Sequence, residues 1–367
     1  MVITTMKNKL VGIWNFHKIL NNKDVWFSEN SGIEMGIKYS GGTESLKSFY
    51  NFYKALSEKN VEIKILDKID NLEEVDLFIF SNLDLKDKYT KKVLKLKTTK
   101  YLLLTEAIAV IPEMWSQEVY SKFDKIFTWN DSLVDNKKFF KINCPGFDVF
   151  NKPVKFSTNL QREKKFCVIT ASNKKSNYPL SAYHNRLEAI RWFEKFYPDK
   201  LDFYGWDWDK YIFSGPRIFR VFNKFSFLQK IFAKKYKIYR GPIVGSKIPV
   251  YKDYRFSLCF ENTLDSPGYI TEKIFDSFFA GCIPIYLGGK NLIENYIPKN
   301  TFIDYQNFSD FKDMYNFLIN LKESEELQYI KNIENFLNSS KFFIFTNEHY
   351  KKTILNKALL DLGFNDT

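Results

Sequence analysis

The chain has 367 residues, 45% of them hydrophobic and 18% aromatic, with a formal net charge of +12. Two domains with sizeable cores fit that length, and no internal repeat or long low-complexity tract interrupts it. Cys144, Cys167, Cys259 and Cys282 form no CxxC pair, which fits a reducing compartment, and His17, His184 and His349 have no ligand spacing, which argues against a zinc site. No apolar run approaches the roughly 20 residues that span a bilayer, and the initial MVITTMKNKL lacks a signal-peptide core.

In chain order, Leu10–Phe16 reads as a strand, Glu44–Ser57 as a helix, and Val61–Leu66 and Val75–Ser81 as strands. Lys86–Leu96 reads as a helix, followed by the strands Tyr101–Thr105 and Lys125–Trp129. This βα alternation predicts an open parallel sheet with helices on both faces. Asn151–Lys164, polar and containing Pro153, reads as a linker. A second βα series then begins, with the strand Phe166–Thr170, a helix over Ser181–Tyr197 and the strand Leu201–Tyr204. After Asp304 come helices at Asp310–Leu321, Ser324–Leu337 and His349–Leu362. The expected division is an α/β domain over 1–150, a second over 165–340, and a helical extension over 341–367.

Several side chains stand where chemistry is done. Glu106 follows the strand YLLLT at the strand end where α/β proteins place ligands, and a carboxylate there can take a proton; Glu113 competes for that role. Arg186 shares a helix face with Ile190, Phe193 and Tyr197, so it needs a counter-charge, a cleft or a route to water. Lys247, in the turn VGSK, is a phosphate candidate or a solvated turn lysine. Asp207-Trp-Asp209 has the D-x-D spacing of a divalent-cation site.

Between Pro216 and Arg240 lie eight basic residues and no acidic one, interleaved with aromatic and aliphatic side chains. Such a segment either lies on an anionic membrane surface or packs its aromatics onto the protein body; nucleic acid is set aside as a partner.

Residues 255–289 are the most informative stretch. Arg255–Glu261 is a buried strand, Asn262–Tyr269 is turn-rich, and a helix starts at Thr271. On that helix Ile274, Phe275, Phe278 and Phe279 share one face, and Glu272, Lys273, Asp276 and Ser277 the other. Ile283–Leu287 is again a strand. Lys273 opposes the helix dipole in the first turn unless an anion binds there; the plainer alternative is a solvated lysine paired with Asp276.

The run CFEN, a loop, then GYITEKIFDSFFAGCIPIYLGG resembles the signature of the α-1,3/1,4-fucosyltransferases, glycosyltransferase family 10, of bacterial type. Weaker echoes extend over residues 75–305: LLLTE, an ASN segment before the helix of Arg186, and DFYG. The resemblance implies a GT-B fold, two doubly wound Rossmann-like domains facing a cleft, and inverting transfer of L-fucose from GDP-β-L-fucose to a glycan or lipid-linked glycan, with no metal and no other cofactor. On that basis Glu106 is the expected base, and Arg186, Asn262, Tyr269, Glu272, Lys273 and Lys247 the expected donor-site residues, with Asp207 and Asp209 not metal ligands. Secretory-pathway members carry an N-terminal anchor, so a cytoplasmic enzyme is expected, peripheral on the inner face of the membrane. The loop LDSPG departs from the family's common QGYG-like version, which leaves open a different nucleotide sugar. A non-catalytic nucleotide- or nucleic-acid-binding protein is the more distant alternative.

Overall fold

The computed structural model describes residues 8–21, 27, 44–143, 153–157, 163–213, 216–289 and 293–364. Cys144 and half of the expected linker 151–164 lie outside these residues. The chain divides into two compact units.

The first unit comprises the described residues of 1–152, 266–272 and 340–367. Its strands are β1 (Leu10–Asn15), β2 (Glu62–Ile65), β3 (Leu77–Ser81), β4 (Thr99–Leu104), β5 (Lys125–Thr128) and β6 (Phe139–Lys141). They pair in the order β2-β1-β3-β4-β5-β6, every pair parallel. Every residue of β3 is buried, as expected of a central parallel strand covered on both faces. The helix α1 (Glu44–Ser57) sets Phe52 and Leu56 into the same core as Tyr350, Ile354 and Ala358 of the C-terminal helix Asn347–Asp361. Tyr101 on β4 donates its hydroxyl to the Lys357 carbonyl (2.8 Å) and to the Asp361 carboxylate (2.5 Å).

The second unit comprises the described residues of 153–265 and 273–339. Its strands are β7 (Lys165–Thr170), β8 (Leu201–Tyr204), β9 (Tyr254–Phe260), β10 (Ile283–Leu287) and β11 (Ile303–Asp304), in the parallel order β11-β10-β9-β7-β8. Numbered within the unit this is 2-1-3-4-5, and the first unit has the same order with one strand added. The order reverses between β1 and β3 in one unit and between β7 and β9 in the other, the switch points beside which doubly wound sheets bind ligands. The helices α2 (Tyr183–Phe196), α3 (Glu272–Ala280), α4 (Phe311–Asn320) and α5 (Glu323–Leu337) accompany this sheet. A bidentate pair from Arg255 to the fully buried Glu326 ties the start of β9 to α5.

The structure departs from the expected organisation in several places. The described residues of 340–367 are built into the first unit and form no separate extension, because the C-terminal helix supplies part of that unit's core. Residues 266–272 also belong to the first unit, although the sequence around them belongs to the second. The strands β6 and β11 carry no apolar run that announces them; each forms along the edge of an existing sheet. The helix expected over 86–96 shortens to Lys88–Val93, opened by Asp87, whose carboxylate accepts from the backbone N–H groups of Tyr89 and Thr90.

Candidate active site

In the second unit the site grows from the carboxyl end of β9. Arg186, buried on α2, turns its guanidinium onto that end: Nε and one terminal nitrogen donate to the Phe260 carbonyl (3.0 and 2.6 Å). The same terminal nitrogen donates to Asn262 Oδ1 (2.9 Å). Its charge also lies 4.9 Å from the Tyr183 ring centroid. The arginine on the apolar helix face is thus held by a carbonyl, an amide and a ring. Asn262 is fixed on its other side by the Ala182 N–H, which donates to its carbonyl (3.1 Å). Next to it, Thr263 bridges Ser181, and Tyr178 donates to Asp265 (2.6 Å).

Glu261 is fully buried and accepts from Lys273 Nζ at 3.2 Å. Lys273 thus has a buried carboxylate partner twelve positions back in the chain. Asp276 pairs with Lys247 at 2.9 Å, both largely buried, which ties the segment before β9 to α3. Lys247 thus stands as one half of an ion pair on α3. Glu272 opens that helix, half-buried. Ser277, assigned by periodicity to the polar face, is fully buried: its hydroxyl meets that of Ser257 on β9 at 2.6 Å. A serine satisfied by a partner hydroxyl is accepted in a core. Burial pushes the neighbouring Cys259 thiol up to about 11, and those of Cys167 and Cys282 upward too, so all three pack as protonated side chains.

In the first unit Glu106 follows β4 and is half-buried, with one carboxylate oxygen 3.3 Å from His17 Nε2. Its backbone is set by Asn82, the residue after β3. The Asn82 amide oxygen accepts from both the Thr105 and the Glu106 N–H (2.9 Å each), and its amide nitrogen donates to Thr105 Oγ1 (2.8 Å). Asn82 holds φ of +53°, a conformation asparagine tolerates better than most residues. His17 follows β1, its N–H bound by the Asn15 side chain (2.8 Å). Three adjacent strand ends, β1, β3 and β4, thus build the carboxylate–imidazole pair. The competing Glu113 is exposed on the turn Pro112–Met114. Histidine spacing in sequence gave no hint of His17, because its partner is 89 residues away.

Tyr269, expected at the donor, is buried against Trp129 (4.6 Å between ring centroids), which in turn meets Trp115 (4.9 Å). Gly268 before it has φ of +81°, and a Cβ there would come within 2.4 Å of the Trp129 carbonyl and 2.5 Å of Lys141 Nζ. A positive φ of this kind suits glycine, and the close approach it permits here is to the protein's own backbone. Asp207 pairs with Lys210 at 3.0 Å in an exposed turn.

Two doubly wound parallel-sheet units are the GT-B architecture, and solved structures agree. An α1,3-fucosyltransferase with GDP matches at TM-score 0.50 and 14% identity, covering 100% of this chain and 93% of that one. A glycosyltransferase from Rickettsia africae matches at 0.51 and 10%, covering 98% and 100%. Residues 244–352 match the glycosyltransferase family 10 (fucosyltransferase) C-terminal domain. The α-(1,3)-fucosyltransferase FucT of Helicobacter pylori is 33% identical over 130 residues, 35% of this chain and 26% of that protein. The mouse 4-galactosyl-N-acetylglucosaminide 3-α-L-fucosyltransferase 9 is 35% identical over 90 residues, 24% of this chain and 25% of its own length. The chain thus spans about a quarter of the curated relatives it matches.

Proposed function

We propose that the protein transfers L-fucose from GDP-β-L-fucose to a hydroxyl of an acceptor glycan, with inversion, as an α-1,3-fucosyltransferase. The observation that carries this reading is the family match across β9, α3 and β10, the stretch that holds Asn262, Glu272 and Lys273. In the proposed step the acceptor oxygen attacks the fucose anomeric carbon while the bond to the β-phosphate oxygen breaks. The acceptor proton goes to Glu106, and GDP leaves with the bonding electrons. The transition state has oxocarbenium character. Lys273, Arg186 and the N-terminal end of α3 stabilise the charge that develops on the diphosphate. An ammonium donates up to three hydrogen bonds, and the buried Glu261 fixes where Lys273 directs them. Asn262 and Glu272 offer hydrogen bonds to sugar or ribose hydroxyls. In this reading leaving-group stabilisation needs no divalent cation, and the acceptor is a glycan or a lipid-linked glycan such as an O-antigen precursor.

A thermal-shift panel of GDP-fucose, GDP-mannose, UDP-sugars and short DNA tests the donor. Stabilisation by GDP-fucose above the others is expected; preference for a UDP-sugar or DNA would overturn it. GDP-mannose preference would instead support the second reading, a different nucleotide sugar, to which the divergent loop Leu264–Gly268 points. Turnover with EDTA should be retained; strict dependence on added Mn²⁺ would return attention to Asp207 and Asp209.

A further inference from the structure

Eight of the sixteen large hydrophobic side chains that stand exposed among the described residues fall between Ile218 and Phe232, which makes one patch of them. Ile218 is 70% exposed, Phe227 64%, Ile231 62% and Phe232 58%. Surface apolar residues scattered singly need no explanation, but a concentration of this kind marks an interaction surface.

The patch is built, not spilled. The Asn223 side chain holds both the N–H and the carbonyl of Phe213 (2.9 Å each), and the Tyr211 N–H donates to the Gln229 carbonyl (2.8 Å). The Phe213 ring meets Phe222 at 5.5 Å and Phe232 at 5.8 Å. The segment therefore closes on its own short core. Its helices, Arg217–Arg220 and Ser226–Ile231, are too short to bury their remaining apolar side chains against one another.

Charge selects the occupant. Lys224, Lys230, Lys234 and Lys235 are exposed in the same segment, and no acidic residue occurs between Asp209 and Asp253. A second copy of the chain packed symmetrically on this face would set these cations against their own copies. An anionic bilayer meets both properties, taking apolar rings at the headgroup–acyl boundary and lysines at the lipid phosphates.

We propose that residues 216–240 dock the protein on an anionic lipid surface. This rests on the glycosyltransferase reading only for its purpose, which is to bring the enzyme to a lipid-linked acceptor.

Co-sedimentation with vesicles of phosphatidylglycerol and phosphatidylcholine, against phosphatidylcholine alone, tests it. Binding to the anionic vesicles only is expected. Changing Lys230, Lys234 and Lys235 to Glu should lower it by at least about tenfold. Changing Phe227, Ile231 and Phe232 to Ser should lower it as well, with the thermal midpoint of both variants checked against the parent. Equal binding to both vesicles, no binding to either, or folded variants that bind as the parent does would overturn the proposal. So would parent self-association in ultracentrifugation that the Ser variant abolishes, which would give the face to a second copy. Turnover of GDP-fucose on a soluble acceptor, measured without vesicles, should be unchanged in both variants. Vesicle binding without any turnover would overturn the enzymatic reading alone, and turnover without vesicle binding the docking alone.

Discussion

Around the ends of β1, β3 and β4 the first unit gathers Asn15, His17, Asn82 and Glu106; around the end of β9 the second gathers Arg186, Glu261, Asn262 and Lys273. Both sets hang on the same strand order, so topology alone does not distinguish them. What differs is the charge and how it is held. The first unit presents a carboxylate beside an imidazole, both partly open, and fixes it through backbone contacts from Asn82. The second presents two cations drawn onto a buried carboxylate, a strand-end carbonyl and an amide. One arrangement suits taking a proton, the other suits holding an anion. In the proposed function the first set is the base side and the second the anion side of one scaffold.

The largest effect should come from removing the base without touching the anion side. Glu106→Gln keeps shape and the Asn82 contact to its backbone but cannot accept a proton, so kcat should fall by about 10²–10⁴. GDP affinity by calorimetry should be unchanged. Loss of both would make Glu106 a donor contact or a structural residue, and retained turnover would shift the base role to Glu113.

The converse variant sits on the anion side, and the structure changes how it must be made. Lys273→Ala should weaken GDP binding by about 1.5–3 kcal/mol, the worth of a charge-assisted hydrogen bond. It also takes a cation from the fully buried Glu261, and breaking a buried pair costs about 3–5 kcal/mol of stability. Combining it with Glu261→Gln should recover much of the thermal midpoint while GDP binding stays weak. If the double variant binds GDP as the parent does, Lys273 serves Glu261 and not the donor.

Much of this was legible before any coordinates. The strands β1, β3, β9 and β10 are dense apolar runs, and α1 begins and ends where its periodicity does. Lys273 stood out because it opposes a helix dipole, and Arg186 because it lies on an apolar face. What was not legible depends on partners distant in sequence. Glu261 could be read as part of a strand but not as the partner of Lys273, and Ser277 looked polar until Ser257 was found opposite it. Tyr269 was expected at the donor from the resemblance, yet residues 266–272 belong to the first unit, where Tyr269 packs on Trp129. Local pattern cannot reveal a chain that leaves its own unit for seven residues, 266–272, and returns.

That excursion gives the next test. Gly268→Ala adds a Cβ against the Trp129 carbonyl at a φ of +81°, a strain on the order of 1–3 kcal/mol. The thermal midpoint should fall and Trp129 fluorescence should change, since the ring packing of Tyr269 depends on this turn. An unshifted midpoint would mean the loop is free to move off Trp129.

The smallest expected effect falls on His17, which we read as positioning Glu106. If the 3.3 Å contact only orients the carboxylate, it is worth about 1 kcal/mol, so His17→Ala should lower kcat by roughly fivefold with little change in KM for donor or acceptor. His17→Gln, which keeps a donor on the side chain, should recover most of the loss. The pairing of the two variants carries the argument. A purely structural histidine would lower the thermal midpoint in both variants, with the kcat loss following stability and no rescue by Gln. A histidine that is itself the base would show a loss as large as that of Glu106→Gln, again without rescue, because an amide takes no proton. A modest, rescuable loss in kcat at constant KM is the outcome that keeps Glu106 as the base and His17 as the residue that aims it.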